Sequence, residues 1–151
     1  MAAISDSAMT QDSSVYRIQA HDQLCATELH QNVVLFPCDQ PPATGSEGLW
    51  KIASLDGGVN SVCNLGSNTC FTATGGSIIL NPYEETDAQK WQRKDRGDDQ
   101  LSWIAQDDGG SGAQLCISSA FFGNEEQLVT VACDSSDEFQ KFKLETVTAS
   151  A

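Results

Sequence analysis

Three segments of the sequence repeat one pattern: Leu24-Cys25-Ala26-Thr27, Thr69-Cys70-Phe71-Thr72 and Leu115-Cys116-Ile117-Ser118. In each, a cysteine follows an apolar residue or a threonine, and a hydroxyl side chain stands two residues after the cysteine. The leading cysteines are 45 and 46 residues apart. Self-similarity at a fixed period of this length is typical of a chain built from repeated structural units. The sequence therefore predicts three equivalent units.

Each unit contains further features in the same order. An opening apolar run precedes the cysteine segment, a second run follows it, and an aromatic residue closes the unit. The opening runs are Val15 to Ile18, Val59 to Cys63 and Leu101 to Ile104; the second runs are Val33 to Phe36, Ile78 to Leu80 and Leu128 to Val131; the closing residues are Trp50, Trp91 and Phe142. Turns that contain paired glycines separate some of these runs: Asp56-Gly57-Gly58, Thr74-Gly75-Gly76 and Asp108-Gly109-Gly110. The runs and turns together predict an all-β chain with four short strands per unit.

Length and composition are those of one globular domain. The chain has 151 residues, 40% of them hydrophobic. We expect a single folded domain over residues 15–147, with flexible small and polar tails at 1–14 and 148–151. No apolar run of about 18 residues is present, so no membrane insertion is expected. The first residues lack the basic start and apolar stretch of a signal peptide, and we expect the sequence to represent a mature chain.

The charge balance argues against a nucleic-acid partner. Eight basic residues stand against 21 acidic ones, which gives a formal net charge of −13. A chain with this surplus of carboxylates is repelled by DNA, RNA and anionic lipid. The one basic group, Lys90 to Arg96, contains Asp95, and we interpret it as a solvated turn.

Six cysteines raise the question of redox environment. They allow fifteen disulfide connectivities. No C-x-x-C pair is present, and the spacings of 13, 7 and 17 residues within successive pairs are wider than zinc knuckles use. We therefore predict three disulfides, no metal and a secreted or extracellular location.

The repeat suggests which cysteines pair. In units one and three, Cys25 with Cys38 and Cys116 with Cys133 would tie the second strand to the end of the third. Unit two has Pro82-Tyr83 where its second cysteine should stand, so Cys70 would pair with Cys63 instead.

This arrangement resembles the ricin-type β-trefoil, the fold of R-type lectins and related carbohydrate-binding modules. The resemblance covers residues 15–147 and rests on the cysteine-led strands, on Leu35-Phe36-Pro37-Cys38, and on two closing motifs. Gln89-Lys90-Trp91 and Gln140-Lys141-Phe142 look like the family's Q-x-W signature, with phenylalanine replacing tryptophan in unit three. The resemblance implies an all-β fold of three four-stranded repeats around a pseudo-threefold axis.

The resemblance also implies shallow sites for a galactose-like ring. In the family, an aromatic face covers the apolar side of the ring, while a carboxylate and an amide bond its hydroxyls. The family's carboxylate stands two residues after the first cysteine, where this chain has Thr27, Thr72 and Ser118. A hydroxyl is a weaker partner, because charge-assisted hydrogen bonds are roughly twice as strong.

The units therefore differ as candidate sugar sites. Unit one ranks first, unit two second and unit three last. The candidates are Thr27, Phe36, Asp39 and Gln40 in unit one, Thr72, Asn81, Tyr83 and Gln89 in unit two, and Val131 with Phe121-Phe122-Gly123-Asn124 in unit three. The alternative interpretation is that Phe36 belongs to the core and the pockets are empty.

Several other residues have structural interpretations. Trp50, Trp91 and Phe142 are expected to meet inside the threefold centre. Gln89 and Gln140 are expected to bond backbone near the strand ends. Arg96-Gly97-Asp98 matches a short adhesion tripeptide, which we interpret as accidental.

The sequence favours binding over catalysis. Both histidines, His21 and His30, fall in short polar turns, and no G-x-S-x-G elbow or EF-hand spacing is present. Glu125-Glu126 is interpreted as a solvated pair on a hairpin, whereas the acidic turns Asp98-Asp99 and Asp107-Asp108 could hold a cation, although without the EF-hand spacing. We expect neither an enzyme nor a bound cofactor.

Three possible functions remain. The first is a non-catalytic carbohydrate-binding protein, lectin-like and directed at galactose or N-acetylgalactosamine glycans and glycoproteins. The second is a β-trefoil that binds proteins, as an interaction factor or protease inhibitor, through the loops Gln40 to Glu47 or Asp95 to Gln100. An accessory domain of a longer enzyme is a third.

Overall fold

The computed structural model describes residues 15–74, 76–106, 114–119 and 127–147. Its twelve strands are β1 (Val15–Gln19), β2 (Leu24–Leu29), β3 (Asn32–Pro37), β4 (Trp50–Leu55), β5 (Val59–Asn64), β6 (Thr69–Thr74), β7 (Ser77–Pro82), β8 (Trp91–Gly97), β9 (Gln100–Ala105), β10 (Leu115–Ser118), β11 (Val129–Ala132) and β12 (Phe142–Val147). Short 3₁₀ turns lie between them, at His21–Gln23, Ser46–Gly48, Asp56–Gly58, Asp87–Gln89 and Glu138–Gln140. The prediction of an all-β chain is confirmed.

Six strands pair antiparallel in a closed ring. Following the ring, the order is β1, β4, β5, β8, β9, β12 and back to β1. The first strand of each unit meets the closing aromatic strand of the same unit in an equivalent register, with Tyr16 opposite Trp50, Asn60 opposite Trp91 and Leu101 opposite Phe142. A ring leaves no strand edge open along its circumference.

The other six strands form three hairpins, β2–β3, β6–β7 and β10–β11. The hairpins join one another in a triangle, through amides that donate to neighbouring carbonyls. Leu80 N donates to Gln31 O at 2.8 Å, Thr130 N to Gly76 O at 3.1 Å, and Leu128 N to Val33 O at 3.0 Å. The chain therefore repeats one four-stranded unit about a pseudo-threefold axis.

The closing aromatic residues lie in the core, as predicted. Trp50, Trp91 and Phe142 are each at most 1% exposed. The Trp50 indole donates to Ala26 O at 2.9 Å, and the Trp91 indole to Phe71 O at 3.3 Å. Phenylalanine has no such donor to satisfy, so the replacement in unit three leaves no unpaired N–H.

Unequal side chains fill equivalent core positions. Pairing in the hairpins makes Ala26, Phe71 and Ile117 equivalent. The large Phe71 ring packs edge-on against Trp50 of the neighbouring unit, with centroids 4.9 Å apart. Since protein interiors are packed as densely as organic crystals, the large Phe71 ring is accommodated together with the smaller Ala26 and Ile117 at the equivalent positions.

All three predicted disulfides are present. They join Cys25 to Cys38, Cys63 to Cys70 and Cys116 to Cys133, with Cα atoms 5.0, 3.9 and 5.0 Å apart. Cys63 and Cys70 are direct partners on the adjacent strands β5 and β6, which explains how seven residues can close that loop.

The basic group is solvated but does not form a turn. It lies on β8, where Arg93 and Lys94 are exposed. Gly57, Gly58 and Gly76 have positive φ, as expected of turn glycines. Several predicted features lie outside the described residues: the tails 1–14 and 148–151, Gly75, Asp107-Asp108-Gly109-Gly110, Phe121 to Asn124, and Glu125-Glu126.

Candidate functional site

One candidate sugar-site residue in each unit occupies a structurally equivalent position. Phe36, Asn81 and Val131 lie opposite the leading cysteines Cys25, Cys70 and Cys116 in the hairpin registers. All three side chains are half-buried and lie outside the fully buried core. Phe36 therefore keeps part of its ring accessible at the surface of unit one, beside the exposed Asp39 and Gln40.

The hydroxyl residues after the leading cysteines face inward. Thr27 is fully buried and Thr72 is 8% exposed. Their hydroxyls donate to Cys25 O at 3.0 Å and to Cys70 O at 2.9 Å. Ser118, the third of the set, is also fully buried. These positions stabilise the hairpins and offer no surface hydroxyl to a ligand.

Gln89 holds the loop that follows β7. It is 1% exposed. Its carbonyl oxygen accepts from Glu84 N at 2.6 Å, and its amide nitrogen donates to Pro82 O at 2.8 Å. The predicted structural role is confirmed, and Gln89 lies behind the loop rather than on its outer face.

Gln140 makes the same contacts in unit three. Its carbonyl oxygen accepts from Asp134 N at 2.8 Å, and its amide nitrogen donates to Ala132 O at 3.0 Å. Asp134 caps its own turn: two hydrogen bonds from Ser136, the stronger from the hydroxyl at 2.7 Å, lower the pKa of its carboxyl below the usual value.

Unit one has Gly48 in place of the glutamine at this position, and backbone packing takes over its role. A Cβ atom on Gly48 would overlap the carbonyl group of Ala43, and Ala43 itself is fully buried. Backbone hydrogen bonds order the loop before it, from Thr44 N to Gln40 O at 3.3 Å and from Gly45 N to Pro42 O at 2.9 Å. The loop 40–47 is thus internally bonded while much of its surface stays exposed.

A concave surface of about 640 Å³ opens around Tyr83, between residues of all three units. We call it the Tyr83 cleft. Its walls come from the β4–β5 hairpin, the loop after β7, and the residues before β8 and after β9. The lining residues are Ser54, Leu55, Val59, Tyr83, Glu85, Asp87, Lys90 and Gln106.

The lining combines an aromatic ring with hydrogen-bonding groups. Tyr83 is 40% exposed, one of the few large apolar side chains at the described surface. Glu85 and Asp87 are exposed carboxylates, and Gln106 adds an amide that both donates and accepts. Lys90 adds an ammonium group. Such a lining can bind a small polar molecule that has one apolar face.

The structure does not bring the sequence candidates together at one place. Tyr83 lies in this cleft, whereas Phe36, Asp39 and Gln40 lie on unit one, and Asn81 lies on β7 opposite Cys70. Sequence reasoning did not select Ser54, Glu85, Lys90 or Gln106 as binding residues. They belong to separate elements that come together only in the folded ring.

The adhesion tripeptide is held against the ring of strands. Arg96 Nε donates to the buried Ser102 hydroxyl at 2.9 Å and is half-buried. Its guanidinium is therefore engaged within the β8–β9 hairpin, which agrees with an accidental match.

Among the described residues, no group of three or more histidine, cysteine, aspartate or glutamate side chains is placed to hold a metal ion. In the same part of the chain, no helix has the length and apolar character needed to cross a bilayer.

Solved structures share this architecture at low sequence identity. The designed threefold-symmetric protein ThreeFoil matches with a TM-score of 0.73 at 15% identity, covering 88% of this chain and 99% of its own. A lectin of Polyporus squamosus, bound to the epitope Neu5Aca2-6Galb1-4GlcNAc, matches with a TM-score of 0.71 at 14% identity, covering 87% and 48%. A protein described as BEL beta-trefoil matches with a TM-score of 0.67 at 13% identity, covering 90% and 94%.

The likeness to these structures concerns the fold. No protein-family model matches the sequence, and no curated protein matches it. The chain spans about half the length of the Polyporus lectin, at 48%. Together with the threefold strand pairing, these matches show that the chain has the β-trefoil fold.

Proposed function

We propose that this chain is a non-catalytic carbohydrate-binding module of the ricin-like kind, and that its principal site is the Tyr83 cleft. The observation that carries the proposal is the exposed Tyr83 ring beside two carboxylates and an amide. The apolar face of a pyranose packs on an aromatic ring, while its hydroxyls bond to the polar groups around it.

Galactose-type glycans are the proposed ligands. The resemblance to R-type lectins supports this class, and the Polyporus lectin of the same fold is bound to a galactose-containing epitope. Three disulfides are consistent with an extracellular protein, and we propose that the chain is secreted and meets glycoproteins there.

The test is binding of lactose to the whole chain by titration calorimetry. The Tyr83→Ala variant removes the ring and should weaken lactose binding by between about twofold and about twelvefold, since such contacts contribute roughly 0.5 to 1.5 kcal/mol. Phe36→Ala is the matched comparison on unit one. If Phe36→Ala loses lactose binding and Tyr83→Ala does not, the sugar site lies on unit one rather than in the Tyr83 cleft. If the unaltered chain does not bind lactose, the proposal is wrong.

A protein-binding role is the second candidate, because the loop 40–47 is both exposed and internally bonded. Loops ordered before binding lose less conformational entropy when a partner docks. Inhibition assays against serine and cysteine proteases test this role. An inhibitor would lose potency when Gln40 and Glu47, which are both exposed, are changed to alanine together.

A further inference from the structure

Carboxylates dominate the three equivalent loops that lead into the closing strands. We call residues 38–48, 83–89 and 133–140 the closing loops. They contain eight acidic residues and no lysine, arginine or histidine: Asp39, Glu47, Glu84, Glu85, Asp87, Asp134, Asp137 and Glu138. All except the half-buried Asp137 are exposed.

The Tyr83 cleft opens beside the most acidic part of these loops. Glu85 and Asp87 line it directly, and Glu84 is adjacent in the chain. Lys90 is the one cation among its lining residues. The walls therefore carry an excess of negative charge, on a protein whose formal net charge is −13.

This charge distribution bears on which sugar the cleft accepts. Neutral sugar hydroxyls donate hydrogen bonds to carboxylates, so Glu85 and Asp87 favour an uncharged ring. A carboxylate on the ligand cannot donate in this way and meets like charges across the cleft. At a separation of about 7 Å, two like unit charges disfavour binding by roughly threefold at the dielectric constant of bulk water and by tens of fold at the effective dielectric near a protein surface; about fivefold at low salt is therefore the low-end expectation for a cleft that opens to water.

We infer that the Tyr83 cleft selects uncharged galactose-type termini and discriminates against the same glycans when an acidic sugar caps them. This inference rests on the proposed function. It assigns Glu85 and Asp87 as specificity-determining residues, and it assigns Lys90 an opposing effect.

The experiment compares lactose with sialyllactose, the same disaccharide carrying one terminal sialic acid. Titrations of the whole chain at low salt should show lactose binding about fivefold more tightly, and the ratio should fall as salt screens the charges. Equal or tighter binding of sialyllactose overturns the inference while leaving the proposed function intact. Binding of neither sugar overturns both.

Three variants test the cleft itself. Glu85→Gln and Asp87→Asn should each lower the ratio of lactose affinity to sialyllactose affinity, whereas Lys90→Met should raise it. Glu47→Gln is the matched control, because it removes the same charge from the equivalent closing loop of unit one, outside the cleft. If Glu47→Gln lowers this affinity ratio as much as Glu85→Gln does, the net charge of the protein rather than the cleft sets the preference for the uncharged sugar, and the inference is wrong.

Discussion

The carbonyl group of Ala43 occupies the space in which any side chain on Gly48 would begin. In units two and three, the position of Gly48 belongs to Gln89 and Gln140, whose amides bond the loop behind them. Unit one thus replaces a side-chain bridge with direct backbone packing. The same 3₁₀ turn ends all three closing loops, although only two of them contain the glutamine.

Gly48→Ala is expected to destabilise the fold by about 3 kcal/mol, because the added Cβ meets rigid backbone rather than a movable side chain. Urea unfolding measures the change. Gly45→Ala is the control: there the nearest atom is the Glu47 side-chain oxygen at 2.8 Å, which can move aside. Similar losses in both variants would contradict the packing argument.

Gln89→Ala and Gln140→Ala should each lower the free energy of unfolding by about 2 kcal/mol, since each removes two hydrogen bonds to part-buried backbone groups, at about 1 kcal/mol per bond. Gln92→Ala is the control, because its amide donates to Gly57 O at 3.0 Å on the exposed surface. The free energy of unfolding of Gln92→Ala should fall by no more than about 0.5 kcal/mol. A near-zero effect of Gln89→Ala would show that water satisfies those groups.

When the disulfides are removed one at a time, the loss in free energy of unfolding should increase with the length of the loop that each disulfide closes. The loops span 13, 7 and 17 residues for Cys25–Cys38, Cys63–Cys70 and Cys116–Cys133. Chain entropy predicts losses of about 2.9, 2.4 and 3.1 kcal/mol for the paired alanine variants. Denaturant unfolding measures them, and a largest loss at Cys63–Cys70 would contradict the entropic order.

Acid should weaken the closing loop of unit three through Asp134. The folded-state pKa of its carboxyl is lowered by the Ser136 hydrogen bonds, so the carboxylate stabilises the fold above the unfolded pKa of 3.8. This contribution falls away as the pH drops through 3.8 toward the folded pKa. Asp134→Asn should therefore flatten the pH dependence of Tm in that range, and Ser136→Ala should do the same. An unchanged slope in both variants would rule out the contribution.

The repeat in the sequence predicted most of the fold. Cysteines at a 45- to 46-residue spacing and one closing aromatic residue per unit indicated three equivalent units, and the twelve strands follow them. These features are readable because strand periodicity and repeated spacing are local properties of a chain. The missing second cysteine of unit two likewise indicated the pairing of Cys63 with Cys70, which the structure confirms.

Side-chain orientation was harder to predict. Thr27 and Thr72 stand at the family's carboxylate position, but their hydroxyls bond to carbonyls of their own strand. A hydroxyl residue in a strand can turn either to a ligand or to its own backbone, and the one-dimensional pattern is the same in both cases.

By itself, the sequence determined the number of units, the strands, the disulfides and the aromatic core, because each depends on residue type and spacing along the chain. Only the tertiary structure brought Ser54, Tyr83, Lys90 and Gln106 to one cleft. These residues come from three separate segments, since Tyr83 and Lys90 share the stretch between β7 and β8, and ring closure through non-local strand pairing places those segments side by side.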